Sequence, residues 1–340
     1  MAAAEDAAGG QLGTLADLVT PMAVRVAATL RIADHITQQP KTAQELAEAV
    51  SADADALDRM LRHLAVERVL SRDGSGRYGL TAQGEALRDD HPSGMRRMLD
   101  IEGAIGRAEL SFVRLLHSVR TGEPAFPEHF GSPFWDDLSA DPARAASFDA
   151  QMGFDVAGDA PAVVSAYDWG SLGHVVDVGG GNGALLIAML SEHPALHGTV
   201  FDQPRTAEAA RQALGAAGLA DRTAVVAGNF FEPLPPGAGG YLLSAILHDW
   251  DDDAARAILR RCAEAAGSGG AVFVIEKIGA DGETLRTGMN LRMLAYFGGR
   301  ERGAMELGAL AADSGLTVAA VHPAGELTIV EARSAREKRP

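Results

Sequence analysis

The chain has 340 residues, with 30 Lys plus Arg against 46 Asp plus Glu and a formal net charge of −16. That length suggests two domains with ample material for a buried core, and so acidic a surface argues against a nucleic-acid or anionic-membrane binder. The single cysteine, Cys262, excludes a disulfide framework and a thiolate-cluster metal site. No run of about 18 consecutive apolar residues, the length needed to span a membrane, occurs in the sequence. The opening MAAAEDAAGG lacks the basic and apolar regions of a secretory signal. A reducing, cytoplasmic setting is therefore expected.

In chain order, residues 1–10 and the tail after Arg333 are small, polar or charged and are expected to fray. From Leu15 to about Ile36 the apolar residues Leu18, Met22, Val26 and Leu30 recur at helical spacing, which predicts one long helix with Pro21 early in the segment, where a first turn tolerates it. Thr42 caps a short helix, and Ser51 or Asp53 starts a second through Val66, with Leu57, Met60, Leu61 and Leu64 on one face. VLSRDGSGRYGL reads as two strands about a hairpin turn, and Thr81 caps the next helix. Helix, helix and hairpin make a winged helix-turn-helix. On its second helix Asp53, Asp55, Asp58 and Glu67 outnumber Arg59, Arg62 and Arg68, a balance that repels phosphate. Packing and dimerisation fit better than DNA binding.

More helices run from Ser93 to Arg120. TGEPAFPEHFG reads as a Pro/Gly-rich loop, and helix resumes from Ser132 to about Tyr167. Beyond Gly173 strands alternate with helices: HVVDVGG, GTVFDQP, TAVVAGNFF, YLLSAIL and AVFVIEKI are the strands. That alternation implies a parallel, doubly wound sheet. TVAAVHP and ELTIVEA, separated by Ala324 and Gly325, are expected to close it as an antiparallel hairpin.

Asp177-Val178-Gly179-Gly180-Gly181-Asn182-Gly183 ends the first of these strands. Glycines there let backbone approach a ligand, and the next helix offers its amides. Asp202 ends the second strand about 20 residues beyond Gly183, where an acid accepts ribose hydroxyls. These features suit NAD or S-adenosylmethionine alike. The mid-chain position behind a helical domain, the closing hairpin and the further acid Asp177 favour S-adenosylmethionine, whose sulfonium and amino groups suit a carboxylate-lined cleft. His248 follows the fourth strand, at the carboxyl end of the sheet where open α/β folds place ligands. A histidine there, with an ordinary pKa near neutrality, suits a general base. The acids that follow it favour a helix N-terminus without calling for a metal.

VDVGGGNG, FDQP, GNFFEPLP, LSAILHDWDD, GGAVFVIEKI and LRMLAYFGGRERG, in this order and spacing, resemble the caffeic-acid-type O-methyltransferases. The likeness is to their bacterial branch, which methylates aromatic polyketides and related natural products in antibiotic biosynthesis, the naphthoate and anthracycline O-methyltransferases included. It covers nearly the whole chain. The resemblance implies a Rossmann-like class I methyltransferase sheet behind a winged-helix dimerisation domain, a homodimer, and transfer of the S-adenosylmethionine methyl group to a hydroxylated aromatic acid or polyketide, with no metal.

It also implies roles. Gly179 and Gly181 would hold the methionine moiety and Asp202 the ribose. Asn229, where many relatives carry an acid, and Phe230 would flank the adenine, with Ser244 near the sulfonium. His248 would be the base, oriented by Glu276 and Glu301. Trp135, Met152, Met289, Met293 and Phe297 would line the acceptor pocket, as would Asn290, where relatives often have Asp. The expected domains are 11–100 for dimerisation, 101–168 as helical linker and acceptor-pocket segment, and 169–333 for catalysis. Two other readings stay open: N- or C-methylation or hydroxylase- or decarboxylase-like chemistry on the same fold, and a winged-helix regulator that senses a small molecule.

Overall fold

The computed structural model describes residues 11–278 and 286–334. Apart from Ser334, the segments expected to fray lie outside them. The chain divides into two compact units, residues up to 110 with 141–151, and residues 111–140 with 152 onward.

In the first unit the stretch from Leu15 to Ile36 is not one helix. The Asp17 carboxylate accepts the N–H groups of Val19 and Thr20 at 3.0 and 3.1 Å and so starts a helix over Val19–Thr29. Arg31, at φ +54°, then breaks it from Ile32–His35. The break turns Ile32 and Ala33 into the core beside Leu46 and Leu61, so packing overrides the helical period. Thr42 and Glu45 form a reciprocal capping box on Ala43–Val50, and Asp53 caps Ala54–Val66. Strands β1 (Leu70–Arg72) and β2 (Tyr78–Leu80) pair antiparallel as the wing. On the second helix Arg59 pairs with Asp55, and Arg62 with Asp58, which also accepts the Tyr78 hydroxyl. Two of the arginines that would meet a phosphate backbone are thus neutralised within the helix.

In the second unit, TGEPAFPEHFG holds a helix where a loop was expected. Ala125–Phe130 starts after Pro124 and stops at Gly131, φ +83°. Pro127 falls in the first turn, where no N–H is needed, and Phe126 is buried. The prolines frame this helix rather than prevent it.

The sheet of this unit has the order β5-β4-β3-β6-β7-β9-β8. Its strands are β3 (His174–Val178), β4 (His197–Asp202), β5 (Thr223–Ala227), β6 (Gly240–Ser244), β7 (Ala271–Glu276), β8 (Leu316–Ala324) and β9 (Leu327–Ser334). β3 to β7 are parallel, whereas β9 runs antiparallel to both β7 and β8. β7 is buried along its whole length and β3 almost so, as a sheet covered on both faces requires. The chain leaves β3 for β4 and β5, then returns to place β6 on the other side of β3. That reversal is the switch point where open α/β sheets bind ligands. It sets the glycine turn after β3 beside the His248 turn after β6. Among the described residues no helix is long and apolar enough to cross a membrane.

Candidate active site

The glycine turn is built for close approach. Gly179, Gly181 and Gly183 have φ of +70°, +58° and +81°, a region that costs other residues energy. A Cβ on Gly179 would lie 2.5 Å from Ile246 Cδ1, and one on Gly180 would lie 2.7 Å from the Asp177 carboxyl. The Asp202 carboxylate organises the turn, accepting the Gly181 N–H at 2.9 Å and the Gln203 N–H at 2.7 Å. Asp177 is buried, and its Oδ2 has no hydrogen-bond partner among the described residues. Burial, with Asp202 nearby, pushes its pKa up to about 7. A glycine cradle beside a buried carboxylate oxygen in want of a donor fits a ligand with a cationic amino end, as S-adenosylmethionine has.

Two residues of this half have local duties that the sequence did not show. The Asn182 Oδ1 accepts the Ala184 N–H at 3.1 Å, and Gly153 lies so near that a Cβ would stand 2.5 Å from Asn182 Nδ2. Asn229, expected to flank the adenine, uses its side-chain oxygen to accept the Phe231 N–H at 3.0 Å. It thereby shapes the turn that presents Phe230. Phe230 and Phe231 both meet Trp250 edge-on, with ring centroids 5.7 and 5.0 Å away. Ser244 ends β6, paired with Ile275 of β7.

Past Ser244 the chain turns sharply. Ala245 has φ +54°, rare for a residue with a Cβ, and its N–H still bonds to Ile275 at 3.0 Å. The Leu247–Asp249 turn follows and carries His248. The His248 Nδ1 lies 2.6 Å from Glu276 Oε2, at the end of β7, while Glu276 Oε1 accepts the Leu247 N–H at 3.1 Å. Nε2 lies 3.4 Å from Asp249 Oδ1. Burial works against the imidazolium, but the charges of Glu276, Asp249 and Glu301 outweigh it and raise the His248 pKa to about 9. Burial also lifts Asp249 to about 7, despite the histidine beside it.

Glu301 is buried too. Its Oε1 accepts from Arg286 Nη1 at 3.1 Å, and its own N–H donates to Asn290 Oδ1 at 3.0 Å. The two glutamates therefore differ: Glu276 grips the imidazole, whereas Glu301 adds charge from a loop that Asn290 ties to the Thr287–Phe297 helix. Asn290, expected to meet the acceptor, spends its oxygen on that tie. Arg302 is also buried and donates to the carbonyls of Leu247 and Trp250, both at 2.7 Å. Its only signal in the sequence is its place beside Glu301.

The aromatic residues converge. Trp135 stacks on Phe297, with centroids 5.3 Å apart and an interplanar angle of 11°, and lies nearly parallel to Trp250 at 6.5 Å and 13°. Phe134 meets Phe297 edge-on at 4.8 Å. Met293, on the same helix as Phe297, is buried, and Met152 and Met289 are half-buried. Flat apolar walls with polarizable thioethers suit an aromatic ring.

Known proteins match this chain over most of its length. Residues 112–317 match the model of the O-methyltransferase domain, and residues 13–90 that of the O-methyltransferase dimerisation domain. The chain is 58% identical to the 2,7-dihydroxy-5-methyl-1-naphthoate 7-O-methyltransferase of Streptomyces carzinostaticus, over 94% of this chain and 96% of the relative. It is 44% identical to the aclacinomycin 10-hydroxylase RdmB of Streptomyces purpurascens, over 94% of this chain and 87% of that one. Its fold superposes with a TM-score of 0.93, at 57% identity, on an O-methyltransferase (NcsB1) from neocarzinostatin biosynthesis, covering 95% of this chain and 98% of the other. That crystal structure contains S-adenosyl-L-homocysteine and 1,4-dihydroxy-2-naphthoic acid. With both of its halves matched and its sheet, glycine turn and histidine arranged as described, the chain belongs to the O-methyltransferase family.

Proposed function

We propose that this protein methylates a hydroxyl of a hydroxylated bicyclic aromatic acid of the naphthoate type, with S-adenosylmethionine as donor. The observation that carries the reading is the His248–Glu276 pair, held at 2.6 Å beside the glycine turn by the switch point of one sheet. Bound S-adenosylmethionine supplies an electrophilic methyl carbon whose departure leaves a neutral thioether.

The chain's own residues do the rest. Gly179 and Gly181 admit the methionine end, Asp177 offers its free oxygen to the amino group, and Asp202 takes the ribose hydroxyls. Asn229 and Phe230 flank the adenine, and Ser244 stands at the sulfonium end. Trp135, Met152, Met289, Met293 and Phe297 clamp the flat acceptor so that its hydroxyl reaches His248 Nε2. Asn290 acts by fixing the Glu301 loop. Glu276 anchors Nδ1, which leaves Nε2 to take the phenolic proton. A base raised towards the pKa of a phenol takes that proton with little free-energy cost, and positioning contributes most of the remainder.

The winged-helix residues 11–100 serve dimerisation, and the exposure of Leu12, Leu15, Leu18 and Val19 supports it. Residues 101–168 link to the acceptor pocket, and 169–333 form the catalytic domain. The single cysteine and acidic composition support a cytoplasmic setting.

The likeness to a 10-hydroxylase supports a second reading, oxygen chemistry on the same scaffold. Mass spectrometry separates the two. The purified protein, S-adenosylmethionine and a panel of hydroxylated naphthoic and benzoic acids should yield a product heavier by one methyl group. Products altered in oxygen, or no methylated product from any acid, would overturn the methylation reading.

A further inference from the structure

Two neighbouring charged residues on the GGRERG loop face different partners. Glu301 turns to Arg286, whereas Arg302, 5% exposed, turns to the segment that carries the base. Arg302 Nη1 donates to the Leu247 carbonyl at 2.7 Å and Nη2 to the Trp250 carbonyl at 2.7 Å. Nε and Nη2 also reach Asp252 Oδ1, at 3.0 and 2.8 Å, in the first turn of the Asp252–Ala266 helix. From the same loop, Gly299 lies so close to this segment that a Cβ would stand 2.2 Å from the His248 carbonyl oxygen. Leu247 is thus gripped twice, its N–H by Glu276 and its carbonyl by Arg302, and His248 lies between the two carbonyls that Arg302 holds.

We infer that Arg302 is a positioning residue for the base, a forked clamp that, with Gly299, fixes the turn from Leu247 to Trp250 so that the His248 imidazole stays on Glu276. A planar guanidinium reaches two carbonyls and a carboxylate at once. A lysine ammonium, a single point on a flexible stem, cannot hold all three in this geometry. This inference rests on His248 being the base.

Arg302→Lys tests it because the charge is kept and only the fork is lost. The charged groups acting on His248 are Glu276 on β7, Asp249 in its own turn and Glu301 on the loop, and Arg300 and Arg302 line the same small cavity. A relaxed turn loosens the Glu276 contact, which lowers the histidine pKa. The variant should lose on the order of 10–100-fold in kcat, with KM for S-adenosylmethionine within about twofold. The rise of kcat/KM with pH should move to lower pH. In a His248→Ala background the same change should cost nothing more.

Should Arg302→Lys not fold, Asp252→Asn loosens the clamp from its outer end and should give a smaller fall with the same pH displacement. Unchanged kcat and pH profile in a folded variant, a loss carried by the KM for S-adenosylmethionine, or an undiminished further loss without His248 would overturn this inference alone. Full turnover in His248→Ala itself would overturn the base reading, and this inference with it.

Discussion

One carboxylate holds two consecutive residues: Glu276 binds the His248 ring through Oε2 at 2.6 Å and the Leu247 backbone through Oε1 at 3.1 Å. The imidazole is therefore fixed to the same group as the backbone that carries it. Anchoring Nδ1 also sets the tautomer that a base needs, with the lone pair on Nε2.

Removal of the proposed base should separate chemistry from binding. His248→Ala should lower kcat by about 10²–10⁴-fold. Calorimetric titration with S-adenosylhomocysteine should find affinity nearly unchanged, because the ring is held by Glu276 and Asp249 rather than hydrogen-bonded to the glycine turn.

Glu276→Gln keeps a carbonyl oxygen that can accept one of the two N–H groups, but it removes the anion. The His248 pKa should fall from about 9 towards its ordinary value. The pH profile of kcat/KM should move to lower pH and reach a lower plateau, since a weaker base takes a phenolic proton less readily.

Stability should fall as pH rises through three groups. Asp177 and Asp249, raised from 3.8 to about 7, hold their protons more tightly folded than unfolded. Their contribution is complete below pH 3.8 and is lost as pH rises to about 7. His248, raised from 6.5 to about 9, contributes fully below pH 6.5 and loses that contribution as pH climbs through 9. Melting curves should show Asp177→Asn gaining on the parent between pH 5 and about 7 and levelling off above. His248→Gln should flatten the decline between about pH 7 and 9.

Gly179→Ala should act on the donor side. Its φ of +70° strains a residue with a Cβ, and that Cβ would push on Ile246 Cδ1 at 2.5 Å. The strain should cost about 1 kcal/mol of stability. Binding of S-adenosylhomocysteine should weaken on the order of tenfold, whereas KM for the aromatic acceptor should change little.

Trp135→Ala should act on the acceptor side. It removes the partner that stacks on Phe297 at 5.3 Å. Acceptor KM should rise on the order of tenfold for the loss of a stacking wall, with KM for S-adenosylmethionine unchanged.

Local rules legible in the sequence account for most of the elements. The alternation of strand and helix, the glycines after Asp177, the capping residues Thr42 and Asp53, and the closing hairpin all depend on neighbours a few residues apart. Short-range signals misled where packing opposed them, at the helix broken by Arg31 and at the Ala125–Phe130 helix framed by prolines. Division of labour within the site was decided only by tertiary structure. Glu276 meets His248 across 28 residues, Arg302 meets Leu247 across 55, and Asn290 meets Glu301 across 11. Those meetings depend on β6 lying between β3 and β7, and on one loop passing close enough for only glycine at 299. The family resemblance carried by the motifs pointed to His248, Glu276 and Glu301. Which acid grips the ring, and which arginine holds the turn beneath it, follows from strand register and close packing, which no local pattern encodes.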